Sequence, residues 1–300
     1  MSHRFVSQSQ MKSWNKCKRR YYLDYVRRVR KVDFSPSALS LGQYVHTGFE
    51  FIEEDWQEAM QALVDEDMEN TPEILHNDVK NQHELARIMV EGLAEWIPTS
   101  PVMAGFEVLE REKEIAVDFG SYAVMGKVDW LVRLANEDVS ILDLKTAADF
   151  RIFKLSDIDL QFRSYIALLE IIYGAESPMM GTWLVARKVK RTARARPPFY
   201  DTKSVTYNQH QLDSVKRYWD ATVLPMHHAE DLHASGNYHQ DMLFPPNPSY
   251  DCGLCPHRDL CPMFDSGDDA EGFIKDCYEE SEPNARYGDV KILAIAEPVK

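Results

Sequence analysis

The chain has 300 residues, a formal net charge of −14, 44% hydrophobic residues and 11% aromatic residues. That length suits one large domain or a domain with additions, and the apolar content excludes wholesale disorder. Apolar runs are short and broken by charge, and the opening MSHRFVSQSQ holds no apolar signal core. The expectation is therefore a cytoplasmic protein with no membrane association.

Five cysteines in such a setting point to metal or redox chemistry rather than to a secreted disulfide framework. The acidic balance, taken alone, argues against a protein that coats nucleic acid. Its distribution is uneven. Residues 11–31 and 187–196 are basic runs, while residues 265–282 hold eight acids and one lysine. Phosphate contacts need only a local basic surface.

Residues 7–30 predict an amphipathic helix or helix pair, opened by a capping box of Ser7 and Gln10. Met11, Trp14, Tyr21, Tyr22, Tyr25 and Val29 supply its apolar contacts, Cys17 lies among them, and Lys18, Arg19 and Arg20 make it basic. Residues 39–59 predict a second helix, with His46 four positions after Gly42 and Glu50 one turn further. Residues 60–105 read as a helical insertion in which residues 83–96 form the later helix. Two antiparallel strands, 106–119 and 121–134, meet near Gly120. Glu112 and Glu114 face one side of the first, either as an exposed strand face or with one of them approaching a metal.

The densest chemistry lies between Gly126 and Tyr165. Residues 124–134 and 139–144 are apolar, β-prone runs joined by a turn at residues 135–138, which predicts a hairpin. Asp129 lies in its first strand, and Asp143 and Lys145 end its second. Alternation puts residues 143 and 145 on one face and Leu144 on the other. Residues 157–173 have helical spacing, with Ile158, Phe162, Ile166, Leu169 and Tyr173 as the apolar stripe. Gln161 and Tyr165 lie one turn apart on one face of that helix.

Gly174 ends the helix, residues 181–186 read as a buried strand, and residues 187–196 form a basic loop or hairpin. Residues 204–207 suggest a short strand, and residues 209–235 a long helix whose His227, His228 and His233 face solvent. Four prolines within residues 245–256, three of them before the first cysteine, introduce Cys252, Cys255 and Cys261. This Cys-x2-Cys-x5-Cys segment brings three thiolates within reach of one centre, and all-sulphur sites select zinc or an iron-sulphur cluster. Cys17, Cys277 or, for zinc, His257 are the candidate fourth ligands.

The ordered set of Gly-x-x-x-His, Gly-x-x-Asp, Asp-x-Lys and Gln-x-x-x-Tyr resembles the PD-(D/E)XK nuclease superfamily. More narrowly, it resembles the RecB-like exonucleases, including the AddB-type nuclease domain and the CRISPR-associated RecB-like enzymes. The resemblance implies an α/β fold, a mixed central sheet flanked by helices, with the 60–105 helical insertion and a C-terminal iron-sulphur region. Residues 1–265 would form the nuclease domain, with the N-terminal helix and residues 245–265 joined by the metal cluster. Residues 266–300 would form an acidic tail, read equally as a partner-binding segment, a DNA mimic or disorder.

The resemblance further implies hydrolysis of DNA phosphodiesters from ends, single-stranded or frayed. Asp129, Asp143, the Leu144 carbonyl and His46 would hold Mg²⁺ or Mn²⁺. Lys145 would position water and offset charge, with Gln161 and Tyr165 orienting the lysine and the substrate strand. Cys17, Cys252, Cys255 and Cys261 would carry a 4Fe-4S cluster, zinc being the competing occupant. Lys18, Arg19, Arg20, Arg187, Lys188, Lys190 and Arg191 are the candidate DNA contacts. No Gly-x-x-x-x-Gly-Lys-Ser/Thr loop is present, so a helicase, recombination or adaptation partner would supply unwinding. Repair, recombination, CRISPR adaptation and phage DNA processing are all compatible contexts. A non-catalytic DNA-binding subunit that keeps the fold and cluster is the competing function.

Overall fold

The computed structural model describes residues 4–32, 38–190, 192, 194–282, 284–285, 287–288 and 290–296. The chain divides into two compact units, one of Met1–Asp33, Ala116–Gly126 and Asp213–Lys300, the other of Phe34–Ile115 and Lys127–Leu212.

It opens with β1 (Phe5–Ser7) and α1 (Gln8–Lys16). Ser7 Oγ accepts the Gln10 N–H while the Gln10 side chain accepts the Ser7 N–H, the capping box that the sequence predicts. Cys17 is extended and breaks the helix; α2 (Lys18–Tyr21) follows and leads through a wide turn at Tyr22–Val26 into β2 (Val29–Lys31). Val29 and Arg30, the end of the expected helix, are therefore strand. Their partner strand lies at the other end of the sequence.

Helices α3 (Ala38–Glu50), α4 (Trp56–Asn70) and α5 (His76–Trp96) come next. The sequence predicts one helix across residues 39–59; the chain instead restarts at Asp55, whose carboxylate accepts the Glu58 N–H and caps α4. Strands β3 (Phe106–Asp118), β4 (Ala123–Leu134) and β5 (Val139–Ala147) follow. A tight 3-10 segment, Phe150–Ile158, then precedes α6 (Leu160–Tyr173), which Asp159 caps and Gly174 ends at a φ of 56°. Ile158, expected on the helix stripe, lies outside the helix and is exposed.

The remaining elements are β6 (Met180–Arg187), β7 (Tyr200–Thr206), α7 (Gln209–Ala234), α8 (Gln240–Leu243), α9 (Cys261–Ser266), α10 (Ala270–Cys277), β8 (Tyr278–Glu280) and β9 (Ala294–Ile295). Of the three α7 histidines expected to face solvent, only His228 is exposed. His227 is half-buried, which pushes its pKa down to about 4, and His233 packs edge-on against Tyr22 and Phe244. Among the described residues no helix is long and apolar enough to cross a membrane.

In the second unit the strand order is β7-β6-β5-β4-β3. β5 and β6 are parallel, while β4–β5 and β6–β7 are antiparallel. The sheet is thus mixed, as expected, with α6 as the crossover that a parallel pair requires. Leu142 and Leu144 of β5 join Trp130, Leu184 and the inner faces of α3, α4 and α5 in one apolar core. Gly48 is needed there, because a Cβ would lie 2.7 Å from both Met60 Sδ and Val90 Cγ2. On the other face, a Cβ at Gly181 would meet the Phe162 ring at 2.7 Å, so glycine lets α6 settle directly on β6.

In the first unit, β1 lies parallel to the start of β4, and β9 parallel to the end of β3. β2 and β8 form an antiparallel ribbon. The acidic segment after residue 265 supplies α10 and β8, and its acids pair with the basic N-terminal run. Arg27 meets Glu271, Arg28 meets Glu282 and Arg30 meets Glu279.

Candidate metal centre

The candidate site belongs to the second unit and forms where two strands part. β4 and β5 are laddered from Arg133 opposite Val139 to Trp130 opposite Leu142. One step further the Asp129 carboxylate replaces the ladder, Oδ2 accepting the Leu144 backbone N–H at 2.6 Å. Asp129 Oδ1 lies 3.3 Å from Nδ1 of His46, which α3 carries. Asp143 Oδ2 lies 2.7 Å from Lys145 Nζ, the side-by-side acid and amine that alternation along β5 predicts. On α6, Gln161 Nε2 donates to the Tyr165 hydroxyl at 2.8 Å, and Tyr165 is close enough to Lys145 to act on its charge. Helices on both faces of the sheet thus contribute to one gap between strands.

Glu112 joins this group by an irregularity in β3. Its φ of 48° is left-handed, a conformation that costs a residue with a Cβ about 1–2 kcal/mol and is typical of strand bulges. Arg111 reaches Glu53 and the Trp130 ring, while its neighbour Glu112 reaches Lys127 at 3.0 Å. His46, Glu112 and Asp129 each offer one ligand atom, all within 4.8 Å of one another. Asp143 does not join that trio at the same separation; its carboxylate is turned to Lys145. Of the two glutamates on the predicted strand face, Glu112 is the one brought to the site. The bend that takes it there follows from strand pairing, for which the sequence carries no signal.

Burial governs the charges. It pushes the Asp143 carboxyl up to about 6, with Asp129 adding to the rise and Lys145 opposing it. Burial also pushes Asp129 up, but His46, Lys145 and the Leu144 N–H outweigh it and leave that carboxyl below its usual range. The His46 imidazole is pushed down by burial and raised further by Asp129, so it ends above its ordinary value. Lys145 is raised, Asp143 and Asp129 overcoming burial. Two buried acids and an imidazole with a paired ammonium are a set that a divalent cation satisfies. Asp143 Oδ2 fits this reading: it is buried and has no well-directed hydrogen bond, despite the nearby ammonium.

The expected nucleic-acid contacts fall in different surroundings. Arg187 follows Lys145 on the same sheet face, since Lys145 pairs with Val185 and Ala147 with Arg187 across the parallel β5–β6 ladder. Its guanidinium lies over the Phe150 ring, which stacks on Phe153. Lys188 is half-buried and Lys190 exposed, and Arg191 lies outside the described residues. In the first unit Lys18 lies over the Trp14 ring and Arg20 pairs with Asp24. Arg19 is not at a surface: its side chain is 4% exposed and divides between Asp241 and Asp265.

Every sulphur of the four-cysteine set receives an N–H. Asn247 N donates to Cys17 Sγ at 3.5 Å, Ser249 N to Cys252 Sγ at 3.4 Å and Arg19 to Cys261 Sγ at 3.7 Å. The His257 backbone N–H serves Cys255. Cys17 is near enough to Cys255 and Cys261 to act on both thiols. His257, an alternative zinc ligand, has Nε2 at 2.6 Å from Asp24 Oδ1 and leaves its buried Nδ1 without a hydrogen-bond partner. Cys277 ends α10, where its carbonyl accepts the Val32 N–H.

A solved structure described as a "putative exonuclease" from Eubacterium rectale is 14% identical, with a TM-score of 0.52 over 84% of this chain and 87% of its own. The structure of SSO0001 is 12% identical over 88% of both chains, with a TM-score of 0.40. Both likenesses concern the fold alone. No curated protein matches the sequence. The sequence profile of the PD-(D/E)XK nuclease superfamily matches residues 6–262, a span that takes in His46, the parted strands with Asp129, Asp143 and Lys145, and the α6 pair. This chain belongs to the PD-(D/E)XK nuclease superfamily.

Proposed function

We propose that the protein is a divalent-metal-dependent deoxyribonuclease that degrades DNA from its ends. The observation that carries this reading is the gathering of His46, Asp129, Asp143, Lys145 and the Gln161–Tyr165 pair at one strand gap. His46, Asp129 and Asp143, with the Leu144 carbonyl, would hold Mg²⁺ or Mn²⁺, and Glu112 adds a further oxygen donor. Bound there, the cation polarises the scissile phosphate and acidifies an attacking water.

The protein's own groups do the rest. Lys145, kept charged by Asp143, offsets the negative charge that grows on the phosphate as water attacks. Tyr165, fixed by Gln161, limits where the ammonium can move. Arg187 and the stacked Phe150–Phe153 pair offer the next phosphate and an unpaired base a place to rest, two residues along the strand from Lys145. That step is about 7 Å, roughly one nucleotide of an extended strand, and stacking on aromatic rings suits single-stranded substrate. The Gly-x-x-x-His element supports action on ends over sequence-specific cutting.

In the first unit, Cys17, Cys252, Cys255 and Cys261 would hold a 4Fe-4S cluster. Support comes from the four sulphurs each accepting an N–H, the environment that stabilises anionic sulphur. The role is structural, tying the N-terminal helices to the loop at residues 245–261. A cytoplasmic setting and a separate unwinding partner complete the reading.

The test is incubation of purified protein with Mn²⁺ and end-labelled single- and double-stranded linear DNA. Wild type should shorten the DNA progressively, and Asp143→Ala and Lys145→Ala should remain folded without doing so. Undiminished cleavage by both variants would sink the proposal, and binding without turnover by wild type would leave a non-catalytic subunit in its place.

A further inference from the structure

Lys127 is the site cation that none of the expected roles uses. It precedes Asp129 by two residues in β4 and so shares its face. Its Nζ lies 3.0 Å from Glu112 Oε2, the two side chains being 26% and 21% exposed. Glu112 is at the same time one of the three residues whose ligand atoms cluster within 4.8 Å. The backbone at Glu112 is left-handed where its carboxylate meets these two claims.

We infer that Lys127 is a positioning residue that competes with the divalent cation for the Glu112 carboxylate and so sets how tightly the site holds its metal. The inference rests on the nuclease reading above. An ammonium and a divalent ion repel each other, and a single partly buried carboxylate satisfies one of them fully at a time. Glu50, one turn after His46 on α3, is within electrostatic reach of both Lys127 and Glu112. It gives the ammonium a second carboxylate to turn to when Glu112 moves to the metal. While Lys127 holds Glu112, the cation relies on His46, Asp129, Asp143 and the Leu144 carbonyl. Once Glu112 is released, it gains one more hard oxygen.

The experiment is Mn²⁺ titration of the full-length protein at neutral pH, followed by calorimetry and by the electron-spin signal of free Mn²⁺. It covers wild type, Lys127→Met, Lys127→Arg, Glu112→Gln and the double variant Lys127→Met/Glu112→Gln. Lys127→Met should bind Mn²⁺ roughly tenfold more tightly, Lys127→Arg should match wild type, and Glu112→Gln should bind roughly tenfold more weakly. In the Glu112→Gln background the Lys127→Met gain should shrink to less than about threefold, since the contested carboxylate is gone.

Affinity unchanged by Lys127→Met, or a full gain retained without Glu112, overturns the inference and leaves the nuclease reading intact. Failure of wild type and every variant to bind Mn²⁺ overturns both. Should Lys127→Met not fold, Lys127→Gln, which keeps a polar head beside Glu112, takes its place in the same cycle with the same expected gain.

Discussion

Asp129 Oδ2 accepts the Leu144 backbone N–H at 2.6 Å, at the step where β4 and β5 cease to pair. One carboxylate therefore performs two tasks. It closes a sheet that would otherwise leave a part-buried donor without a partner, and it presents its other oxygen to His46 and, in the proposed function, to the cation.

The two tasks separate by mutation. Asp129→Ala removes both, and an orphaned buried N–H costs about 1–3 kcal/mol, so the variant should melt lower and bind no Mn²⁺. Asp129→Asn keeps an acceptor for Leu144 but no charge. It should melt close to wild type while losing more than about a hundredfold in Mn²⁺ affinity. Thermal denaturation and metal titration of the pair decide the matter. Equal melting losses would show that the Leu144 bond does not matter.

What the sequence made legible follows the reach of each pattern. Asp143 and Lys145 share a face because side chains alternate in a strand, and Gln161 and Tyr165 share one because four residues make about one helical turn. Both relations are local and both are found. The strand at Val29–Lys31 was not legible, because its partner, Tyr278–Glu280, is some 250 positions away and the stretch alone has helical composition. Arg19 looked like surface charge for the same reason: its partners Asp241 and Asp265 are more than 220 positions distant. Glu112 was half legible. Its strand face was apparent, but the bend that commits it to the site depends on pairing between strands.

Metal affinity should depend on pH through Asp143. Its carboxyl is raised to about 6 by burial first, then by Asp129. A carboxyl whose pKa is raised holds its proton to higher pH and must lose it before it can ligate a cation. Mn²⁺ binding should therefore weaken as pH falls through about 6, well above the ordinary aspartate range. His46, raised above its ordinary value, must also shed its proton to ligate, which extends the loss to higher pH. Titrations across this interval measure it. The contribution near 6 should vanish in Asp143→Asn, leaving the one from His46, and a midpoint near 4 in wild type would contradict the buried environment.

Two arginines of the basic runs should behave oppositely. Arg187 lies on the sheet face that carries Lys145, two residues further along, so, as the proposed phosphate contact, Arg187→Ala should weaken single-stranded DNA binding and reduce the slope of log affinity against log salt by about one. Because Nη1 also donates to the Arg196 and Pro198 carbonyls, its stability should fall by about 1 kcal/mol. Arg19→Ala removes a buried guanidinium from Asp241, Asp265 and Cys261. Because both acids keep partial access to water, the loss should be about 1–3 kcal/mol rather than that of a fully buried pair. DNA affinity of the folded fraction should stay near wild type. Anisotropy at several salt concentrations and denaturant melts, run on both variants, distinguish a phosphate contact from a structural ion pair.

The cysteine set offers the last test. A 4Fe-4S cluster absorbs in the visible, zinc does not, and either would be part of the folding free energy of the unit that holds it. Anaerobically purified wild type should be brown and contain about four irons per chain. Cys255→Ser should lose the colour and lower the melting temperature by at least about 5 °C, while Cys277→Ser should retain both. His257→Ala separates the two metals further. With Nε2 bonded to Asp24 and Nδ1 buried without a partner, its imidazole has a nitrogen free for zinc; beside a four-cysteine cluster its loss should soften the fold without changing the iron content. A colourless wild type with one zinc per chain would remove the cluster from this account, and a His257→Ala protein devoid of metal would install the histidine as the fourth ligand.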